Sequence, residues 1–154
     1  MKLTTLCLLK KDNRILLAMK KRGFGVGKWN GVGGKVAEGE IVEVAALREM
    51  EEEIGISAKI GDLKNVGNIK FYFSNKPEWD QHMHIFFVKN WIGEPRETGE
   101  MRPRWHSHSE IPFGEMWPDD IHWLPMVLDG KKIKAEFYFN ESGDKIEKFD
   151  IKEI

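Results

Sequence analysis

Apolar residues run from Leu3 to Leu9 and from Ile15 to Met19, and the polar segment Lys10-Lys11-Asp12-Asn13-Arg14 separates them. Two apolar runs joined by a short polar turn predict an antiparallel β-hairpin. From about Glu40 to Ile54 there is neither glycine nor proline, and Leu47, Met50 and Ile54 recur at helical spacing. That stretch predicts a helix, with Gly55 as its stop. Val66 to Phe73, His82 to Trp91 and Arg102 to His106 read as strands, and Glu94 to Glu100, with Pro95 and Gly99, as a loop. Pro118-Asp119-Asp120 ahead of Ile121, Trp123, Leu124, Val127 and Leu128 predicts a second helix starting near 118, which Pro125 should disturb and Gly130 should end. Ile133, Ala135, Phe137 and Phe139 alternate with polar residues, and Ile146, Phe149 and Ile151 follow Ser142-Gly143-Asp144, the pattern of a C-terminal hairpin. This order of elements predicts an α+β fold in which helices cover a mixed β-sheet.

One segment fits neither period. Gly23, Gly25, Gly27, Gly31, Gly33 and Gly34 are interleaved with Lys20, Lys21, Arg22, Lys28 and Lys35. Glycines at this density permit backbone conformations closed to other residues, so the stretch reads as a shaped loop. Composition then narrows the partners. A chain of 154 residues has the size of one domain, and 24 basic against 25 acidic residues leave a formal charge of -1. No global field would hold a polymeric nucleic acid, so a small or locally bound ligand is expected. The lone Cys7 excludes an internal disulfide and fits a reducing compartment and a core position. No run approaches the ~20 apolar residues that cross a bilayer, and the N-terminus lacks the layout of a signal peptide. A cytoplasmic protein is expected, and with no heptad seam or long apolar stripe a monomer.

The chemistry is concentrated in the first helix. At ~100° per residue Glu49, Glu52 and Glu53 fall on one face, with Leu47, Met50 and Ile54 pointing away. Like charges at this spacing repel, so they call for screening by solvent or neutralisation by a cation, and hard divalent ions are the natural oxygen-binding candidates. A bare acidic run is most often only a solvated helix face. Here it stands in a longer pattern: Gly34, Glu40, Arg48-Glu49-Met50, Glu52-Glu53, Gly55 and Ile56 occupy 23 residues with the fixed spacing of the Nudix box.

The segment therefore resembles the signature of the Nudix hydrolases. The resemblance implies a Nudix-type α/β/α sandwich over residues 1–154 and a Mg2+ cofactor, with Mn2+ as a substitute. It implies that Glu49, Glu52 and Glu53 are metal ligands or base, that Arg48 orients them, and that Gly33 and Gly34 bring backbone to the metal. Lys20 and Lys35 are candidates for holding phosphate. Magnesium chemistry suits such residues, since it neutralises pyrophosphate oxygens and lowers the pKa of an attacking water.

Stretches outside the box narrow the resemblance. Met19-Lys20-Lys21-Arg22-Gly23-Phe24-Gly25, Trp29-Asn30-Gly31, Glu100-Met101-Arg102-Pro103, Ile111-Pro112-Phe113 and Met116-Trp117-Pro118-Asp119-Asp120 are similar to the mammalian MutT homologues among the Nudix hydrolases, which act on oxidised purine nucleoside triphosphates. That likeness implies that Asn30, Asp119 and Asp120 hydrogen-bond a purine, that Trp117 stacks on it, that Thr5, Phe24 and Phe71 line the pocket, and that Glu100 is an additional metal-associated carboxylate. The implied reaction yields monophosphate and pyrophosphate and cleanses the nucleotide pool. If adjacent Asp119 and Asp120 are both buried, repulsion and desolvation should raise at least one pKa and let a protonated carboxyl donate beside an accepting neighbour. On an exposed helix turn their pKa values should instead fall.

The likeness breaks between Ser74 and Gln81, where one residue is inserted and Asn75-Lys76-Pro77-Glu78-Trp79-Asp80 differs, so that wall of the pocket cannot be carried over. Trp91, Trp105 and Trp123 are expected to pack, and His82, His84, His106, His108 and His122 to be structural, since no metal-site spacing joins them. Two other readings stand beside the first: a Nudix hydrolase of ADP-ribose, dinucleoside polyphosphates or another linked diphosphate, and a nucleotide-binding regulator without catalysis, which would be expected to lack some of the glutamates.

Overall fold

The computed structural model describes all residues from 1 to 154. Its strands are β1 (Lys2–Lys11), β2 (Arg14–Lys20), β3 (Trp29–Asn30), β4 (Leu63–Phe73), β5 (Gln81–Val88), β6 (Met101–Ser107), β7 (Ile133–Phe139) and β8 (Ile146–Glu153), with helices α1 (Val42–Ile54) and α2 (Asp120–Leu128). They form one mixed sheet in the order β3-β2-β1-β5-β4-β7-β8, with β6 on β2. β1 runs parallel to β5, and β4 parallel to β7, as a mixed sheet requires.

The two faces of β1 read out its side-chain alternation. Leu6 and Leu8 enter a core with Ile69, Ile85, Phe137 and Trp123 of α2, whereas Cys7 and Leu9 enter a second core with Ala46, Met50 and Ile54 of α1. Helices therefore lie on both faces, the predicted sandwich. Burying a side chain such as Met50 or Ile54 contributes roughly 1.5–3 kcal/mol, which fixes the helix that carries the acidic residues. Cys7 is fully buried, as expected, with its thiol directed at Ala46 O and its pKa pushed up to about 12 by desolvation.

The N-terminal hairpin forms but does not stay closed. β1 and β2 pair only beside their turn, through Lys10 with Ile15 and Lys11 with Arg14, and then splay. The wedge is filled by the glycine segment: β3 pairs with the far end of β2, while Val32 and Lys35 bridge to Cys7 and Thr4 of β1. Close approach explains the glycines here, because a Cβ on Gly33 would stand 1.9 Å from Thr5 O and one on Gly31 2.8 Å from Cys7 O. The predicted shaped loop is thus an inserted edge that opens a cleft in the sheet.

Several boundaries differ from the pattern, β4 for instance starting at Leu63 rather than Val66. α1 starts at Val42, not Glu40, because Glu40 is taken up by Ala37 N and by Arg48. β5 stops at Val88, short of Trp91, because Lys89 N turns to Asp62 O, and Trp91 instead stacks on Trp105 at 6.2 Å. α2 starts at Asp120, and Pro125 lies inside it without ending it. Gly55 caps α1 in the left-handed conformation, φ 74°.

Candidate active site

The splayed hairpin and the sheet face beneath α2 enclose a cleft of about 290 Å³. Thr5, Lys20, Phe24, Asn30, Gly33, Gly34, Lys35, Phe71, Trp117, Asp119 and Asp120 all line it, so the structure brings together every candidate substrate-binding residue. The helix glutamates lie beyond Gly33 and Gly34 rather than in the cleft wall.

At one end, Asp119 and Asp120 begin α2 and are both 3% exposed. This is not the exposed helix turn that would lower their pKa values. Neither caps the helix by its side chain. The Trp123 indole N–H donates to Asp119 Oδ2 at 2.8 Å, whereas Asp120 Oδ2 has no partner in the chain. Burial raises both pKa values, and the charge of Asp119 pushes Asp120 further up. A protonated Asp120 beside Asp119 presents a donor next to an acceptor, as the sequence implied for a buried pair.

Trp117 borders the same end. Its ring lies 5.1 Å from Phe24 and 5.3 Å beneath the Lys28 ammonium, and a Cβ on Gly25, where φ is +83°, would come within 3.3 Å of its indole nitrogen. Phe24 also meets Trp79 at 5.0 Å, and Trp79 packs on Phe73 at 5.5 Å. The inserted segment therefore braces the Phe24 loop from behind. Trp123 is a core residue, as expected, and Trp105 carries Arg14 over its ring. His82 pairs with Asn68 Oδ1 at 2.8 Å, a structural use.

At the other end, Glu49 lies against Gly34, whose added Cβ would stand 2.4 Å from the Glu49 carboxyl carbon. Arg48 binds Glu40 through two nitrogens, at 2.8 and 2.9 Å, and also reaches Glu49 at 3.0 Å, Glu52 at 3.4 Å and Lys35 O at 3.1 Å. Glu40 is thereby pulled down to about 2 by Arg48. The predicted orienting arginine is a tie from the glycine segment to the helix.

The acidic face is not uniform in its exposure. Glu52 is exposed and Glu53 is buried, yet Arg48 Nη1 touches both Glu49 and Glu52 and the Glu53 carboxyl lies against that of Glu49, so the three carboxylates share one face in unequal depth. No three acidic, histidine or cysteine side chains stand together as a ready-made cation site. Glu100 is held by Arg22 rather than by the helix. Glu53 is raised to about 8, first by burial and then by the charge of Glu49, with Lys20 opposing and Glu100 adding, and its Oε2 has no partner. An orphaned buried carboxylate among acidic neighbours is what a hard divalent cation would satisfy, so these residues fit one.

Sequence reasoning left Thr4, Lys28, Phe73, Gln81, Met83 and Phe139 unassigned, though they line the cleft. Phe139 and Met83 were legible as strand residues, but nothing in the linear pattern says which strand face meets a cavity. Gln81 closes the segment where the likeness breaks.

A mixed sheet between two helices, with a braced glutamate helix at one end of a nucleotide-sized cleft, defines a member of the NUDIX family, and this chain belongs to it: residues 2–127 match the NUDIX domain. More particularly, it is 50% identical over 138 residues to the oxidized purine nucleoside triphosphate hydrolase of Danio rerio, covering 90% of this chain and 86% of that one. It is 45% identical over 153 residues to the Mus musculus protein of the same name, covering 99% and 96%. The fold is also that of the crystal structure of a mutator MutT protein from Bacillus halodurans, with a TM-score of 0.82, 20% identity and coverage of 98% and 97%.

Proposed function

We propose that this protein hydrolyses oxidised or modified purine nucleoside triphosphates, of the 8-oxo-dGTP and 2-hydroxy-dATP type, to the monophosphate and pyrophosphate, and so sanitises the nucleotide pool. The observation that carries the reading is the buried Asp119–Asp120 pair, with one unpartnered oxygen, facing a cleft shared with Asn30 and Trp117. The names of the vertebrate relatives support it. A purine with an added keto or hydroxyl group changes the donors and acceptors along its edge, and a pair able to hold one proton can match more than one such edge. Trp117 offers its ring face to the base.

Toward the phosphates, Lys20 and Lys35 line the cleft without an ion pair of their own, which leaves both ammonium groups to hold phosphate oxygens. Glu49, Glu52 and Glu53 would hold Mg2+, with Mn2+ as a substitute, and Glu100 would join them on release from Arg22. When bound, that ion neutralises phosphate charge and makes water a better nucleophile. Arg48 fixes Glu49 and Glu52, the Gly34 backbone positions Glu49, and Glu53 is the carboxyl that accepts a proton once its negative form is stabilised.

The test is kcat/KM with magnesium, followed by chromatographic separation of substrate and nucleotide products, for 8-oxo-dGTP, 2-hydroxy-dATP, N6-methyl-dATP, dGTP, ADP-ribose and diadenosine tetraphosphate. A strong preference for modified purine triphosphates is expected. A flat profile, or preference for the last two, defeats the reading of the aspartate end.

A further inference from the structure

One polar pair in the cleft has no part in the scheme above. Thr4 on β1 and Gln81 on β5 both line it, and the Thr4 hydroxyl donates to Gln81 Oε1 at 3.2 Å. Gln81 makes no other side-chain hydrogen bond within the chain, and both residues are half-buried. A carboxamide carries a donor end and an acceptor end; a threonine hydroxyl can satisfy either, so whichever way the amide is turned one end is tied and the other is left to the cleft. Such a group recognises most readily a partner that both donates and accepts, which is a hydroxyl.

The strand registers say where along a bound nucleotide this pair stands. Gln81 is directly opposite Phe71 of β4, a wall residue of the purine end, and on its other side it pairs with Lys2 of β1. Thr4 bridges to Lys35, which belongs to the phosphate end together with Gly34. The pair thus lies between the wall that meets the base and the segment that meets the phosphates, and the part of a nucleotide between base and phosphates is its sugar. Met83, on the same face of β5, is the apolar neighbour on the inner side.

We propose that Thr4 and Gln81 form a sugar-reading site, in which the Gln81 amide hydrogen-bonds a ribose hydroxyl of the substrate and Thr4 fixes the amide for it. Gln81 is the specificity-determining residue and Thr4 a positioning residue. This rests on the purine nucleotide reading, because the order of base, sugar and phosphate along the cleft follows from it. A site that hydrogen-bonds a hydroxyl discriminates against the analogue lacking it, since the polar group is then left unpaired.

The experiment measures kcat/KM for one purine base carried on ribose, 2′-deoxyribose and 2′,3′-dideoxyribose triphosphates, with the intact protein and with Gln81→Leu and Thr4→Val. In Gln81→Leu the loss on the hydroxyl-bearing sugars should exceed the loss on the dideoxy sugar by roughly tenfold, expressed mainly in KM. Thr4→Val, which keeps the β-branched shape, should move the same ratio in the same direction by a smaller factor. A ratio that changes between ribose and 2′-deoxyribose assigns the 2′-hydroxyl; one that changes only when the second hydroxyl is removed assigns the 3′-hydroxyl. Equal loss on all three sugars, or no loss on any, overturns the proposal. Thermal melting of both variants separates a sugar effect from misfolding. Comparing the oxidised with the plain base on one fixed sugar tests the base reading independently, so either can fail without the other.

Discussion

The cleft has a carboxylate cluster at each end, and the two are built by opposite means. Asp119 and Asp120 are sunk among core residues, one held by Trp123 and the other with an oxygen unpartnered, so only a proton or a ligand can relieve the pair. Glu49, Glu52 and Glu53 lie on a helix rim, braced by Arg48 and approached by Lys20, with Glu52 open to water. Here a cation can enter. The difference teaches that adjacent carboxylates carry no fixed chemical meaning: a wholly buried pair suits the proton-sharing role proposed for the base end, and a helix face with one member open to water suits the cation role proposed for the other.

The strongest way to break this comparison is to neutralise the rim. Glu53→Gln should cut kcat by about a thousandfold, within the range of lost general-base or charge-stabilising groups, without lowering the melting temperature, because at neutral pH it replaces a carboxyl that burial already holds largely protonated with a neutral amide of the same shape. Glu52→Gln should also lose turnover, and retained activity in both variants would sink the metal assignment. Next is Gly34→Ala, whose Cβ would displace the Glu49 carboxyl from its place at 2.4 Å. Since a flexible side-chain end can move, folding should survive while activity falls by about tenfold or more, and a crystal structure of the variant should show Glu49 turned away.

The base end should respond differently. Asp120→Asn should change the ratio of kcat/KM between 8-oxo-dGTP and 2-hydroxy-dATP by about tenfold, the worth of one base-edge hydrogen bond, while hydrolysis as such is less affected. Equal losses on every nucleotide would count against a reading role. The smallest effect is on stability of the ligand-free protein. Both aspartates have folded pKa values raised above the unfolded ones, so their contribution is full below about pH 4 and is lost as pH rises through the raised values. The melting temperature of the parent should therefore fall from about pH 4 to about pH 8 more than that of Asp120→Asn; parallel profiles would show that the pair is not desolvated.

Much of this was legible along the chain because it is local. Hydrophobic period set α1 and the two hairpins, Gly55 set the end of α1, and the spacing from Gly34 to Ile56 carried the family resemblance. Less legible was the division of the glutamates. Helical angle puts Glu53 on one face with Glu49 and Glu52, but it does not say how deep each lies, and in the fold Glu53 is buried while Glu52 is exposed. The gap from Ser74 to Gln81 had no local signature at all. Only contact shows Trp79 bracing Phe24, and only strand pairing brings Gln81 beside Phe71 and Thr4.

By itself, then, the sequence determined which residues form helices and strands, where the glycines must be, and which residue types are available for metal and base, since each follows from the period, backbone freedom or chemistry of neighbours in the chain. Tertiary structure decided what those groups can do. The splay of β1 from β2 made the cleft, the two cores set which carboxylates lose water, and the sheet register joined residues 77 positions apart in Thr4 and Gln81. Desolvation and hydrogen bonding depend on neighbours in space, which a linear pattern does not contain.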